Sequence, residues 1–424
     1  MIEVRRVTVI GAGGTMGAKV AGIFASFGNA SVYLVSRDME KSKAAVEKAV
    51  RSVRADSIRR NLIPADDSML AECVANSDLV FESVSEDVEV KAAVNKRIVG
   101  SLRENAVFCT GTSGLSVTAF AERLPENLRK QYLGVHFFNP PYHMTLCEVI
   151  PTKYTDPVLN AEMQQYLVKT LCRTAVEVKD SPGFLANRIG FRFMNEAMQY
   201  AERYGIDYMD AVLGPFTGRA MPPLMTADFV GLDTYKAIAD NLYAHTVASA
   251  RSVFAVPRYV QTLIEAGLLG SKTGSGVYRK QTDEVYEIGT GKYRKKVNYA
   301  FPFAERMKAY LKNGDYALAM QVLREDRSQE AIICLQFLLK YILYSLDTAE
   351  KLGNTYQAAD DAMAAGFGWC PPLALMEMFT AAGDIRQMIS AYTDDSFLKE
   401  IDADALISKA EPSRYDVRPY FRAG

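Results

Sequence analysis

Short apolar runs alternate with amphipathic stretches through the first part of the chain. Arg6–Ile10 (RVTVI) and Ser31–Val35 (SVYLV) have the composition of buried strands. The helical pattern AKVAGIFASFG lies between them and ends at Gly28. Asp78–Val84, Ala106–Thr110, Tyr132–Phe138 and Thr145–Ile150 repeat the strand signal, and Ala175–Lys179 either extends the sheet or leads out of it. Residues 40–62 read as a long polar helix. Strand and helix in alternation predict a mostly parallel, doubly wound sheet to about residue 150, closed by a hairpin. The pattern then changes. Asp180-Ser181-Pro182 reads as a helix start, with Asp180 or Ser181 as the cap and Pro182 in the first turn. That helix runs to Gly205, and helices continue to about Tyr278. A polar hairpin-like stretch, Val285–Lys296, follows, and residues 303–424 are helical again. The expected class is α/β, a Rossmann-type doubly wound sheet followed by all-α C-terminal domains. The expected boundaries are 1–179, 180–280, a linker or hairpin at 281–302, and 303–424.

Composition narrows the options. The 424 residues suit two to three domains, and 49% are apolar. A net charge of −1 gives no bulk attraction to nucleic acid or to a membrane surface. No apolar run in the sequence reaches the ~20 residues of a membrane span, and the N-terminal run behaves as strand and turn, not as a leader. A cytoplasmic protein is expected. The six cysteines are scattered and do not cluster with the three histidines, so neither disulfides nor a metal site is expected.

The first strand runs directly into Gly11-Ala12-Gly13-Gly14-Thr15-Met16-Gly17 and then a helix. Strand, glycine-rich turn, helix and strand is the context of a dinucleotide site, in which glycines bring backbone close to a pyrophosphate at the helix N-terminus. The loop is one residue longer than G-x-G-x-x-G, and a second register, Ala12-x-Gly14-x-x-Gly17, is open. The second strand ends in Ser36-Arg37-Asp38. A hydroxyl and a guanidinium suit a ribose 2′-phosphate, hence NADP, whereas Asp38 could take the 2′-hydroxyl of NAD. Arg51, Arg54, Arg59 and Arg60 form either a solvated face or a contact for the phosphates of a carrier such as coenzyme A.

The stretch LGVHFFNPPYHMTLCEVIP, residues 133–151, is two strands around a proline-rich turn. A hairpin symmetric about Tyr142 sets His136 directly opposite Glu148. An imidazole oriented by a carboxylate is equipped for acid–base chemistry near neutral pH. The alternative is a buried histidine that simply satisfies its neighbour. His143, in the turn, and His245, in a helix, are weaker candidates for a base. Glu86 and Ser113 follow strand C-termini, where open α/β sheets carry ligands.

Together, VTVIGAGGTMG, DLVFESVSED, GTSGLSVT, GVHFFNPPYHMTLCEVI, DSPGFLANRIG, ADFVGLDTY and GSKTGSGVY resemble the 3-hydroxyacyl-CoA dehydrogenases over residues 6–278. The resemblance implies oxidation of a 3-hydroxyacyl-CoA at C3 by NAD(P)+. It implies His136 as base, Glu148 as its orienting carboxylate, Ser113 (or Ser116) as the hydroxyl touching substrate and cofactor, and Asn187 as a holder of the substrate oxygen. Glu86, Lys91, Asn139 and Lys272 resemble cofactor-side contacts, while the family carries Asp where Ser36 stands. Residues 358–379 resemble a second, degenerate copy of the helical domain, which implies a pseudo-dimeric monomer, with a homodimer as the alternative. The hydratase domain of the multifunctional members is not expected. A dehydrogenase of free small hydroxy acids and a non-catalytic relative remain open.

Overall fold

In the computed structural model, which describes residues 2–421, the apolar runs of the first part become strands. These are β1 (Arg6–Ile10), β2 (Ser31–Ser36), β3 (Leu62–Asp66), β4 (Leu79–Glu82), β5 (Val107–Thr110), β6 (Tyr132–Phe137), β7 (Leu146–Pro151) and β8 (Thr174–Glu177). They form one sheet in the order β3-β2-β1-β4-β5-β6-β7-β8. All neighbours are parallel except β6 and β7. The order reverses between β1 and β4, so both strands point their C-terminal ends at one crevice, where such sheets bind dinucleotides. Helices α1 (Thr15–Ser26), α2 (Met39–Val53), α3 (Leu70–Ala75), α4 (Val88–Ile98), α5 (Val117–Glu122), α6 (Glu126–Arg129) and α7 (Pro157–Gln165) are the connections. Val7, Val9, Val32 and Leu34 are completely buried in the sheet centre, as two-sided coverage requires.

Two expectations are corrected. The polar helix at 40–62 ends at Val53, and residues 62–66 are the edge strand β3. Arg54 adopts a left-handed conformation (φ 54°) and closes α2 there. The helix expected from Pro182 begins only at Ala186, because Gly183 (φ 69°) and Phe184 (φ 48°) are both left-handed. Asp180 does not cap it. Its carboxylate accepts from Val117 N and Thr118 N and so caps α5 instead.

The chain divides into two compact units, one reaching Phe184 and including Leu352–Asn354, the other beginning at Leu185. The second contains α8 (Ala186–Tyr204), α9 (Ile206–Val212), α10 (Pro223–Val230), α11 (Leu232–His245), α12 (Arg258–Glu265), a small sheet β9 (Tyr278–Arg279), β10 (Glu284–Glu287) and β11 (Lys292–Lys295), then α13 (Pro302–Asn313), α14 (Tyr316–Glu325), α15 (Gln329–Leu352), α16 (Gln357–Phe367) and α17 (Pro372–Ala382). The stretch expected as a linker or hairpin holds the β10–β11 hairpin of this small antiparallel sheet, and the two helical segments on either side of it form one unit. They pack through shared rings: Phe193 on α8 meets Phe337 and Tyr341 on α15 edge to face. Helix α15 also qualifies a sequence expectation. Its 24 residues are long and apolar enough to cross a membrane, but 83% of its most apolar window is buried in this unit, as in a core helix.

The two segments repeat one device. Asp210 accepts from Leu224 N at 2.8 Å, and Asp360 from Leu373 N at 2.8 Å, each at the Pro-Pro-Leu start of the next helix. Gly218 (φ 85°) and Gly368 (φ 63°) are both left-handed. The residues that follow them, Arg219 and Trp369, pair in an antiparallel bridge, and Cys370 N donates to Gly218 O. Equivalent positions facing each other antiparallel define a local two-fold axis. Arg219 is fully buried there, its guanidinium over Phe193, Trp369 and Tyr341 at 3.9, 4.6 and 5.0 Å from the ring centres.

Burial raises the carboxyls of Asp210 and Asp360 to about 7, and that of Asp228 to about 6. In the unfolded chain these groups titrate near the ordinary Asp value, ~3.9. Between that value and about 7 the folded state therefore holds more protons, and its stability falls as pH rises. Melting temperature is expected to be higher at pH 5.5 than at pH 7.5 and level above pH 8; calorimetry across that range measures it.

Candidate active site

The β6–β7 register pairs His136 with Glu148. Nδ1 lies 2.8 Å from Glu148 Oε2. Glu148 is completely buried and His136 is 5% exposed. With the carboxylate ionised, Nδ1 carries the ring proton and Nε2 is the basic nitrogen. Phe138 and Phe184 pack on the imidazole at centroid distances of 4.5 and 5.7 Å. The carboxylate orients the imidazole and the two rings pack against it.

The glycine loop divides its duties in a way that resolves the open register. Gly11 (φ 81°) makes the tight turn, and a Cβ there would lie 2.5 Å from Ser83 O. Gly14 is the N-cap of α1, with Thr15 and Met16 in its first turn. A Cβ at Gly17 would lie 2.6 Å from Gly11 O, so only glycine lets α1 approach β1 this closely. Gly13 lies against Ser36: a Cβ on it would be 3.2 Å from Ser36 Oγ. Glycine at 11 and 17 thus lets the turn close against the Ser83 backbone and the start of α1 pack on the loop, and the glycine cradle so formed ends at a helix N-terminus of the kind that binds a pyrophosphate. Arg37 is exposed beyond Ser36.

Under the ends of β4 and β5 runs a buried charge network that the sequence did not reveal. Glu82, at the tip of β4, accepts from Thr110 Oγ1, Val84 N and the Lys91 ammonium. Lys91 is 1% exposed and also pairs with Glu86 at 3.4 Å. Glu86 in turn accepts from Thr112 Oγ1 and from Ser113 N at 2.7 Å. Lys91, expected as a cofactor-side contact, is placed inside this network. Its ammonium is enclosed by two carboxylates, and it acts by fixing Glu86 and the Ser113 loop. Ser116, the alternative to Ser113, is the N-cap of α5 and donates to Asp180, so its hydroxyl has a structural task.

Asn139 accepts from Lys19 on α1 at 2.7 Å, tying the hairpin to the helix that follows the glycine loop. Lys272 and Asn187 belong to the helical unit. The Lys272 ammonium is paired with Asp233 on α11, and Asn187 is buried in the first turn of α8. Arg59 of the basic stretch is engaged by Glu47 and Asp56. His245 Nδ1 meets the Asn241 carbonyl, a structural contact. Among the described residues no group of three or more His, Cys, Asp or Glu is placed to hold a metal ion.

Comparison with known proteins decides the family. Residues 6–181 match the model of the 3-hydroxyacyl-CoA dehydrogenase NAD-binding domain, and residues 183–280 match that of the C-terminal domain. A probable 3-hydroxyacyl-CoA dehydrogenase of Deinococcus radiodurans is 32% identical over 301 residues, covering 67% of this chain and 85% of that protein. The chain belongs to the 3-hydroxyacyl-CoA dehydrogenase family. The mitochondrial hydroxyacyl-coenzyme A dehydrogenase of Sus scrofa is 32% identical over 294 residues, 66% of this chain and 92% of that one. A probable 3-hydroxyacyl-CoA dehydrogenase of Bacillus subtilis is 31% identical over 74% of this chain, which spans only 40% of that protein's length. Among solved structures, 3-hydroxybutyryl-CoA dehydrogenase of Escherichia coli shares the fold over 93% of this chain and 96% of its own, with a TM-score of 0.70 at 21% identity.

Residues 6–181 match an NAD-binding domain, and the glycine cradle and the α1 N-terminus lie where sheets of this kind take a dinucleotide. The charge network sets the loop beside them. Lys91→Met is expected to strand the buried Glu82 carboxylate and to lower stability by about 3–5 kcal/mol, measured by denaturant unfolding.

Proposed function

We propose that this chain oxidises the C3 hydroxyl of a 3-hydroxyacyl-CoA to the 3-oxoacyl-CoA, reversibly, with NAD(P)+. The observation that carries the reading is the His136–Glu148 couple at the end of β6, in the same sheet as the glycine cradle. The bound nicotinamide supplies the hydride acceptor. His136 Nε2 takes the hydroxyl proton as the C–H pair leaves, and the resulting imidazolium is held by Glu148 through Nδ1–H. In the reverse direction the same nitrogen returns the proton. Ser113, on the loop fixed by Glu86, is suited to donate to the developing carbonyl oxygen, and Asn187 is assigned the substrate oxygen by the family resemblance. The enzyme works as a single chain, because the repeated helical segments already complete a two-fold pairing within one molecule.

His136→Gln removes the base without adding bulk. It is expected to lower kcat for acetoacetyl-CoA reduction by about 10²–10⁴ while leaving cofactor affinity unchanged. Unchanged turnover would defeat the reading. Light scattering is expected to give a mass near 46.9 kDa, and a value twice that would defeat the single-chain state.

A further inference from the structure

Strand β2 ends on a hydroxyl with no bonding partner among the described residues. Ser36 is 7% exposed, and its Oγ is buried without a hydrogen-bond partner. It lies against the glycine loop, 3.2 Å from where a Cβ on Gly13 would be, and Lys41 Cβ lies 3.6 Å from the same point. A buried hydroxyl left unsatisfied is costly, and a ligand oxygen at the loop would satisfy it. Arg37 follows directly and makes no ion pair among the described residues. Lys48 lies behind the loop, its ammonium 3.1 Å from Gly14 O, and it too has no carboxylate partner among those residues.

The carboxylates nearby are otherwise engaged. Asp38 is the N-cap of α2: Oδ1 accepts from Lys41 N at 2.9 Å and Oδ2 from Lys41 Nζ at 2.7 Å. Glu40 pairs with Lys43. Asp38, which the sequence allowed as a ribose-binding acid, is thus held by Lys41 on both of its oxygens. An ammonium has three donors, so Lys41 keeps two after bonding Asp38. A free ribose hydroxyl at this strand end calls for a carboxylate acceptor; a phosphate there calls for hydroxyl and cationic donors.

We propose that the dinucleotide bound by this chain carries a phosphate on its adenosine 2′-oxygen, held by Ser36, Arg37 and Lys41. The proposal rests on the dehydrogenase reading only in assuming a dinucleotide at the glycine loop. It is tested by titrating the full chain with NADPH and NADH, followed by nucleotide fluorescence, and with 2′,5′-ADP against 5′-AMP, followed by calorimetry. Wild type is expected to bind NADPH and 2′,5′-ADP at least about 10-fold more tightly than their unphosphorylated counterparts. Arg37→Ala, at an exposed position, should weaken NADPH by about 10- to 100-fold and leave NADH within about 2-fold. Ser36→Ala should also weaken NADPH selectively. Equal or tighter binding of NADH by wild type, or equal losses for both nucleotides in Arg37→Ala, overturns the proposal. NADH preference with turnover of acetoacetyl-CoA would overturn the clamp and keep the dehydrogenase reading. Selective 2′,5′-ADP binding without turnover would do the reverse, and binding of no nucleotide would overturn both.

Discussion

A carboxylate sealed from water must meet its partner in one geometry, and the rest of the site is arranged around the place where Glu148 does so. Its partner is set by register alone. Moving β7 by one residue against β6 would turn Glu148 to the other face of the sheet and leave His136 facing a valine or a cysteine. The register is secured from both sides. β5 runs parallel to β6, and β8 runs parallel to β7, so the pair sits inside the sheet and not at an edge open to slippage. Phe138 and Phe184 then pack on the ring. Phe184 gains its place through the two left-handed residues that delay α8, so the broken helix start is part of how the imidazole is held.

A second constraint acts at the neighbouring strand ends. Glu82, Lys91 and Glu86 alternate in charge from the β4 tip to the loop bearing Ser113. Such a chain adds little net stability over an apolar core, but breaking it is expensive, so it fixes position more than it strengthens the fold. It links the strand beside β1 to the loop after β5, while Lys19 and Asn139 link α1 to the hairpin. The glycine cradle and the acid–base couple are thereby parts of one framework.

Most of the sheet was legible because buried strands write their pattern locally. β1, β2, β4 and β5 are short apolar runs bounded by polar residues, and the hairpin symmetry about Tyr142 was enough to pair His136 with Glu148. β3 was not legible. It is five residues long with Pro64 in the middle, tolerable only because it has a single strand neighbour, and it follows a helix of similar polarity. Asp180 was misread, and the partners of Lys91 were missed, for a common reason. A cap signal beside Pro182 points forward by local rules, but the free N–H groups it satisfies belong to α5, more than sixty residues earlier. The family resemblance gave Lys91 as a cofactor-side contact, and only the sheet shows that Glu82 lies beneath it. Pairwise contacts between distant elements carry no local trace in composition. The device repeated at Asp210 and Asp360 left one only through its proline pairs.

The bridge between Arg219 and Trp369 has a consequence for how such an assembly can evolve. Two identical chains meeting about an axis must set the same side chain on each side of it. A guanidinium there would then face its own copy, at a cost of about 4 kcal/mol for charges ~4 Å apart at an effective dielectric of ~20. Joining the halves into one polypeptide lifts that requirement. One half can keep the cation while the other supplies an indole to receive it, and a repulsive coincidence becomes an attractive contact that no homomeric pairing could encode.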